Sequence, residues 1–285
     1  MKLADFFSHR QFFTHEELVK FLRISKLVNR GCTERSVLEA ALNEKRIVRV
    51  RQGLYMCVPA GQTPQTTRFD PFLLASMSVH NPIFAYGTAL DFHKGFSHAQ
   101  ECFYLTMHKP RKFVFLNHRF EAVSFPTALV RNENECYAVD SIRRGTQVIK
   151  VTSLERAVVD CLDRPWLAGG WKNAWASLQY LDFLKLNELI AYALFLENRT
   201  TIAKLGFYLE SRKRHLAVDD EHLMRLQEHR QCEPVHFIRN RNSRKEHSWR
   251  LVSRWNLIVP VEFLEPQTSS RQERLEGARP SRARR

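Results

Sequence analysis

The first 58 residues constrain the fold most, because two helix-start signals are followed directly by a hairpin pattern. Thr14 and Glu17 predict a capping box, in which a hydroxyl and a carboxylate each satisfy a free amide at a helix start. Thr33 is a second predicted N-cap, and it precedes the amphipathic segment ERSVLEAALNEKR. Residues 47–58, IVRVRQGLYMCV, place two short apolar runs on either side of a glycine turn. Two short helices and a hairpin predict a winged helix-turn-helix over residues 1–58.

A winged helix-turn-helix inserts its second helix into the major groove and places its hairpin near the phosphates. The candidate DNA-contacting residues lie on the outward face of that helix, at its end and on the hairpin: Thr33, Arg35, Ser36, Glu39, Arg46, Arg49 and Arg51. Alternation with Val50 predicts that Arg49 and Arg51 share one face of the hairpin. The apolar residues predicted to hold the hairpin against the helices are Val48, Val50, Leu54 and Met56.

Two simpler interpretations of these residues remain open. Arg35 and Glu39 are four residues apart, so they can form an exposed ion pair on the helix surface. The hairpin can equally be an ordinary pair of strands with solvated arginines. Either interpretation removes part of the case for DNA contact.

The charge distribution favours an anionic partner for the N-terminal segment. Lysine and arginine number 44 against 30 aspartate and glutamate, a net charge of +14, and nucleic acid is the commonest partner of so basic a chain. Residues 1–60 carry 11 basic and 6 acidic groups, whereas residues 151–210 carry 6 and 7. The sequence therefore predicts that the N-terminal segment binds a polyanion and that the centre has another role.

The remainder of the chain predicts a second, larger domain. Residues 59–71, PAGQTPQTTRFDP, are polar and proline-rich, as is typical of a linker. Residues 72–264 predict a mixed α/β domain with a mainly helical second half, so the whole fold is predicted to be α+β. Residues 265–285 hold six arginines and one leucine, and they are predicted to form a disordered basic tail because they cannot bury enough apolar surface.

The composition also predicts the compartment and the lack of bound groups. No apolar stretch reaches the roughly 20 residues that span a bilayer, and the apolar run at the N-terminus is interrupted by charges. A cytoplasmic protein, associated with the nucleoid through DNA, is therefore expected. The six cysteines form no CxxC pair, which indicates reduced thiols. We expect no metal site and no cofactor.

The segment VTSLERAVVDCLDRPWLAGGW, residues 151–171, raises the question of catalysis. Ser153 is a predicted N-cap, and Glu155, Asp160 and Asp163 could hold a divalent metal in a nuclease. However, no histidine or lysine accompanies them, and a carboxylate near a helix start is stabilised by the helix dipole alone. The chain also lacks P-loop, GxGxxG and GxSxG motifs, so we predict no catalytic residues.

Five segments together resemble the AbiEi-type antitoxins of bacterial type IV toxin–antitoxin systems, which are often linked to abortive infection by phage. They are RVRQGLYMCVP, AYGTALDFHKGF, VTSLERAVVDCLDRPWLAGGW, KLGFYLE and RWNLIVP, in the order of the family. The resemblance covers about residues 5–263. It implies that the winged helix represses its own operon by binding inverted repeats in the promoter. It further implies that the larger domain counters a nucleotidyltransferase toxin encoded beside it, without need of a stable complex.

In the larger domain the resemblance marks five motif positions, Ser153, Glu155, Arg156, Asp160 and Gly170. Because a single small winged helix makes limited base contact, two chains could pair on the repeats. The alternative function is a winged-helix regulator with no toxin, whose larger domain senses a ligand or mediates assembly. The adjacent gene distinguishes the two functions, because only an antitoxin requires a nucleotidyltransferase there.

Overall fold

The fold is α+β, as the sequence predicted. The computed structural model describes residues 3–26, 33–95, 100–108, 112–145, 147–238 and 248–264. Contacts between Cα atoms divide the chain into two compact units, Met1–Leu196 and Glu197–Arg285.

The N-terminal elements alternate between helices and strands. In chain order they are α1 (Leu3–Ser8), β1 (Phe12–Thr14), α2 (His15–Ile24), α3 (Glu34–Asn43), β2 (Ile47–Arg51) and β3 (Leu54–Cys57). The strands form an antiparallel sheet in the order β1-β3-β2. Both predicted helix starts are confirmed, since Thr14 with Glu17 and Thr33 with Ser36 form reciprocal capping boxes.

One hydrophobic cluster joins these helices to the hairpin. Its buried members are Phe6, Phe7, Phe13, Leu18, Phe21, Leu22, Val37, Leu38, Ala41, Ile47, Tyr55 and Cys57. The hairpin contributes Ile47 from β2 and both Tyr55 and Cys57 from β3. These three side chains therefore fix the hairpin on the helices.

The residues predicted to hold the hairpin are wrong, because the residues that do so are their neighbours in the sequence. The residues predicted to hold the hairpin against the helices were Val48, Val50, Leu54 and Met56. None of these four residues belongs to the cluster, as far as the described residues show. Leu54 and Met56 are buried, but on the opposite face from Tyr55 and Cys57, because successive side chains of a strand alternate.

The predicted linker, residues 59–71, is packed into the first unit. Phe69 is buried, and its ring centroid lies 5.8 Å from that of Phe12 in β1. The Asp70 carboxylate caps the next helix and pairs with Arg144 at 2.9 Å. The chain therefore divides between the two units named above, and not at this segment as the composition predicted.

The rest of the first unit is a sheet with helices packed on it. Its elements are α4 (Pro71–Ser78), β4 (Ile83–Phe84), α5 (Tyr86–His93), β5 (Glu101–Leu105), β6 (Lys112–Phe115), β7 (His118–Val123), α6 (Thr127–Arg131), β8 (Val139–Arg144), β9 (Gln147–Thr152), α7 (Leu154–Asp163), a 3-10 turn (Pro165–Ala168), α8 (Gly170–Gln179) and α9 (Leu186–Phe195). Over the described ranges the strands form a mixed sheet in the order β6-β7-β5-β4-β9-β8. Helices α4 and α5 pack on this sheet, and α7 packs between α5 and α9. Helix α7 carries the three motif positions Glu155, Arg156 and Asp160 and is capped by a fourth, Ser153, so this part of the motif is interior.

The second unit joins two helices to a small sheet. Its elements are α10 (Arg199–Ser211), α11 (Asp220–Gln227), β10 (Val235–His236), β11 (Trp249–Val252) and β12 (Leu257–Pro260). Strand β12 pairs in parallel with β10 and antiparallel with β11. Trp255 is fully buried, and a Cβ built on Gly206 would lie 2.1 Å from its ring. Two of the segments that carry the family resemblance, KLGFYLE and RWNLIVP, are therefore in direct contact.

Two further sequence predictions concern the C-terminal tail and membrane-spanning helices. The predicted disordered tail, residues 265–285, lies outside the described residues. Within the part of the chain that the structure describes, no helix combines the length and apolar character needed to cross a bilayer.

Candidate functional site

Helix α3 exposes the residues that the sequence predicted to meet DNA bases. The hydroxyl groups of Thr33 and Ser36 are occupied by the capping box, where each accepts the backbone N–H of the other at 3.2 and 3.1 Å. Arg35 Nε donates to Glu39 Oε1 at 2.8 Å, with side chains that are 86% and 59% exposed. The helical ion pair is thus present, but solvent screens such an exposed pair and it contributes little to stability. Little free energy is therefore needed to release Arg35.

A β-bulge separates the two arginines of the hairpin. Arg49 lies opposite Tyr55, Arg51 lies opposite Leu54, and the register shifts between the two pairs. Residues directly opposite each other in an antiparallel pair share a face of the sheet. Arg49 and Arg51 therefore lie on opposite faces, and the prediction that they share one is wrong because the bulge adds a residue to β2.

The two arginines also differ in what they contact. The Arg51 guanidinium donates to the carbonyl of Met77 at 3.0 Å, near the end of α4. Arg49 is exposed, and it makes no hydrogen bond or ion pair with any residue that the structure describes. Arg49 is therefore available to an anion as it stands, whereas Arg51 has to leave Met77 first.

Arg46 lies between α3 and β2 and is exposed. Its guanidinium is 5.4 Å from the ring centroid of Phe7 in α1, and its Nη1 lies 3.5 Å from the Glu44 carboxylate. Arg46 thus lies against α1.

Helix α7 begins at the predicted N-cap and buries an ion pair in its first two turns. The Ser153 hydroxyl accepts the N–H of Arg156 at 3.2 Å, which confirms the cap. The side chains of Arg156 and Asp160 are 0% and 1% exposed, and Nε lies 3.4 Å from Oδ2. Arg156 also donates from Nη1 to the carbonyls of Glu135, at 3.1 Å, and Tyr137. This guanidinium therefore joins α7 to the segment that precedes β8.

Asp160 connects α7 to α9. The Tyr192 hydroxyl donates to Asp160 Oδ1 at 2.7 Å. Burial raises the pKa of the Asp160 carboxyl, while Arg156 and Tyr192 act in the opposite direction. The pair and its partners form a buried polar cluster inside the unit, so these motif positions hold elements together.

The carboxylates proposed for a nuclease are occupied by protein groups. Glu155 Oε1 accepts the backbone N–H of Lys185 at 3.0 Å, and Asp163 lies 3.5 Å from Arg164. With Asp160 buried in its ion pair, these groups do not present a shared open face to a metal and water. Within the described ranges, no group of three or more histidine, cysteine or acidic residues is placed to hold a metal ion.

The backbone conformation at position 170 favours glycine. Gly170 begins α8 with a φ of 85°, in the region that favours glycine, and no atom lies within 4 Å of a Cβ built there. The motif glycine therefore serves the turn between the 3-10 segment and α8.

Sequence reasoning missed the contacts around the start of α5. Tyr86 is fully buried with a φ of 58°, which a non-glycine residue rarely adopts. A Cβ on Gly87 would lie 2.8 Å from the Cα of Ala168, so α5 and the 3-10 turn approach closely. Gly87, in the triplet AYG, was the sequence signal for this close approach. No nearby residue signalled the hydrogen bond from Tyr192 to Asp160 in α7.

Large apolar side chains are exposed near the motif. Trp166, Tyr180 and Phe183 are 63%, 60% and 74% exposed and flank α8 in the chain. These aromatic residues are accessible, in contrast to the buried Glu155, Arg156 and Asp160.

Comparison with known proteins supports the fold alone. No protein-family model matches the chain, and no curated protein matches it. A crystal structure of the RV2827C protein from Mycobacterium tuberculosis is similar, with a TM-score of 0.56 and 15% sequence identity over 94% of this chain and 90% of that one. The similarity spans nearly the whole of both chains and concerns their architecture.

Proposed function

We propose that this protein is a DNA-binding antitoxin of a type IV toxin–antitoxin system, which represses its own operon and counters a nucleotidyltransferase toxin. One observation carries the DNA-binding part: the capped helix α3 presents an exposed polar face beside a hairpin whose exposed Arg49 has no ion pair or hydrogen bond with the described residues. In this proposal α2 and α3 form a helix-turn-helix and β2–β3 form its wing. The antitoxin part is supported by the resemblance of five segments to the AbiEi-type family.

Different chemistry is assigned to the helix and to the wing. Arg35 leaves Glu39 and pairs with a guanine edge in the major groove, where arginine can make two parallel hydrogen bonds. Arg49 meets a phosphate, which adds affinity through counterion release but reads no sequence. Arg51 contributes less because its guanidinium is held by the Met77 carbonyl.

The difference between the two wing arginines is measurable. Arg49→Ala is expected to make the dependence of log affinity on log salt shallower by about one unit, with a similar loss on every duplex. The measurement is a fluorescence anisotropy titration with duplex DNA from upstream of the gene, repeated over a range of salt concentrations. Arg51→Ala is the matched control, since it removes the same charge from the same strand.

Two outcomes would contradict this assignment of the wing. One is a salt dependence that Arg49→Ala leaves unchanged. The other is a larger effect of Arg51→Ala than of Arg49→Ala, which would place the phosphate on the Met77 side of the hairpin.

In the larger part of the first unit we assign an architectural role to Ser153, Glu155, Arg156, Asp160 and Gly170. Their polar side chains form hydrogen bonds or ion pairs within the protein, and Gly170 allows a backbone turn with positive φ. A direct contact with a toxin needs accessible groups, and aromatic residues are frequent in the centres of interfaces. The exposed residues that offer this are Trp166, Tyr180 and Phe183.

Repression and neutralisation should be separable in the full chain. Arg35→Glu combined with Arg49→Glu places negative charge against the phosphates, so repression of a promoter reporter is expected to fail. Growth rescue is expected to persist when the nucleotidyltransferase of the adjacent gene is expressed from an independent promoter. Full-length protein is required, because removal of residues 1–58 would expose Phe69, which packs on Phe12.

Loss of rescue in this double variant, at wild-type protein level, would contradict the division of labour. An adjacent gene without a nucleotidyltransferase would favour the regulator that has no toxin.

A further inference from the structure

A cleft of about 720 Å³ lies at the base of the hairpin within the first unit. Its walls come from α1, from the residues after it, and from the segment that follows β3. The floor is apolar and buried, and it includes Phe7, Met56, Val58 and Phe69. This volume is within the range of roughly 300–1,000 Å³ that is usual for small-molecule sites.

The rim of the cleft is cationic. His9, Arg10, Arg46 and Arg68 line it and are exposed, and none of the described lining residues is acidic. Arg10 and Arg68 form no ion pair or hydrogen bond with any residue in the described ranges. Arg46 has an acidic partner in Glu44, at 3.5 Å. The cleft therefore combines an apolar floor with a cationic rim on which, among the residues that the structure describes, Arg10 and Arg68 have no counter-charge.

Two of these arginines are positioned by aromatic rings. The Arg10 guanidinium lies 4.3 Å from the ring centroid of Phe6, and the Arg46 guanidinium lies 5.4 Å from that of Phe7. Burial raises the pKa of the Cys57 thiol to about 12, and Arg10 and Arg46 both act to lower it. A guanidinium stacked on a ring keeps its N–H edge available to an anion.

We propose that this cleft binds a free nucleotide, that is, a phosphate ester with an aromatic ring. The phosphate oxygens accept hydrogen bonds from arginines at the rim, and such charge-assisted contacts favour phosphate over an uncharged ligand. The face of the ring lies on the floor near Phe7 and Phe69, against which an aromatic face can pack. Duplex DNA offers the same phosphate, but its bases are stacked and cannot reach a buried floor.

The test uses isothermal titration of the full chain with AMP, GMP, CMP and UMP. At least one of them is expected to bind with one-to-one stoichiometry. The matching nucleoside and inorganic phosphate should each bind at least about tenfold more weakly, because each lacks one half of the recognition. Arg68→Gln should weaken nucleotide binding by about tenfold, whereas Lys20→Gln, an exposed charge outside the cleft, should leave it unchanged.

Three results would overturn the proposal. Failure of all four nucleotides to bind would show that the cleft is not a nucleotide site. Nucleotide binding that both Arg10→Gln and Arg68→Gln retain, in variants with wild-type melting temperatures, would place the ligand elsewhere. Loss of promoter-DNA affinity in Arg68→Gln, with no nucleotide binding by the wild type, would assign the rim to the DNA surface. Nucleotide binding does not depend on the proposed function, and failure of either leaves the other standing.

Discussion

Arg156→Met is expected to lower the free energy of unfolding by about 3–5 kcal/mol, the usual effect of removing one member of a buried ion pair. Methionine keeps an unbranched apolar stem but leaves the Asp160 carboxylate without its counter-charge in a buried site. It also removes the donors to the carbonyls of Glu135 and Tyr137. Urea unfolding followed by circular dichroism measures the change.

The chain contains a matched control for this substitution. Arg35 and Glu39 form an ion pair with the same four-residue spacing, but it is exposed on α3. Arg35→Met is therefore expected to leave the free energy of unfolding almost unchanged, because solvent screens an exposed pair. Equal effects of the two substitutions would show that the α7 pair does not depend on burial.

The cost of Arg156→Met should also increase with pH. Burial already raises the pKa of Asp160, and Arg156 is a group that lowers it, so the substitution raises it further. A carboxyl whose folded pKa is raised favours folding below its unfolded pKa, about 3.9, and loses that contribution as pH rises through the folded value. The variant should therefore lose less stability in acid than at neutral pH.

Gly206→Ala is expected to destabilise the second unit by about 1–3 kcal/mol, the usual cost of overpacking a core. The added Cβ would lie 2.1 to 2.4 Å from three atoms of the Trp255 ring. That ring is fully buried and is held by its N–H bond to Glu210 at 2.7 Å, so it has little room to move. Alanine gains about 1 kcal/mol of helix propensity over glycine, so a net loss would show that the clash dominates.

A second substitution separates the clash from other effects. Trp255→Phe removes the larger ring system, so Gly206→Ala should cost less in that background than in the wild type. Additive effects in this double-mutant cycle would contradict a direct contact between the two residues. Thermal unfolding of the four proteins supplies the comparison.

Local signals predicted the capped helices but not the packing of the hairpin. The caps at Thr14 and Thr33 depend on residues three positions away, so the sequence contains them. The faces of Arg49 and Arg51 depend on a bulge that only the pairing with β3 reveals. For the same reason, the polar composition of residues 59–71 did not show that Phe69 packs on β1.

The motif helix illustrates the same limit. The N-cap at Ser153 is local, but Asp160 accepts from Tyr192, which is 32 residues away on another helix. Strand β8, an edge strand with the sequence VDSIRR, also escaped prediction because it is exposed along much of its length and has no continuous apolar pattern.

Titration of the full wild-type chain into fluorescent duplex DNA from upstream of its own gene tests the proposed DNA binding most directly. The expected result is saturable binding that is tighter than binding to a scrambled duplex of the same length and that weakens as salt increases. Equal affinity for both duplexes, or no binding to either at low salt, would contradict it.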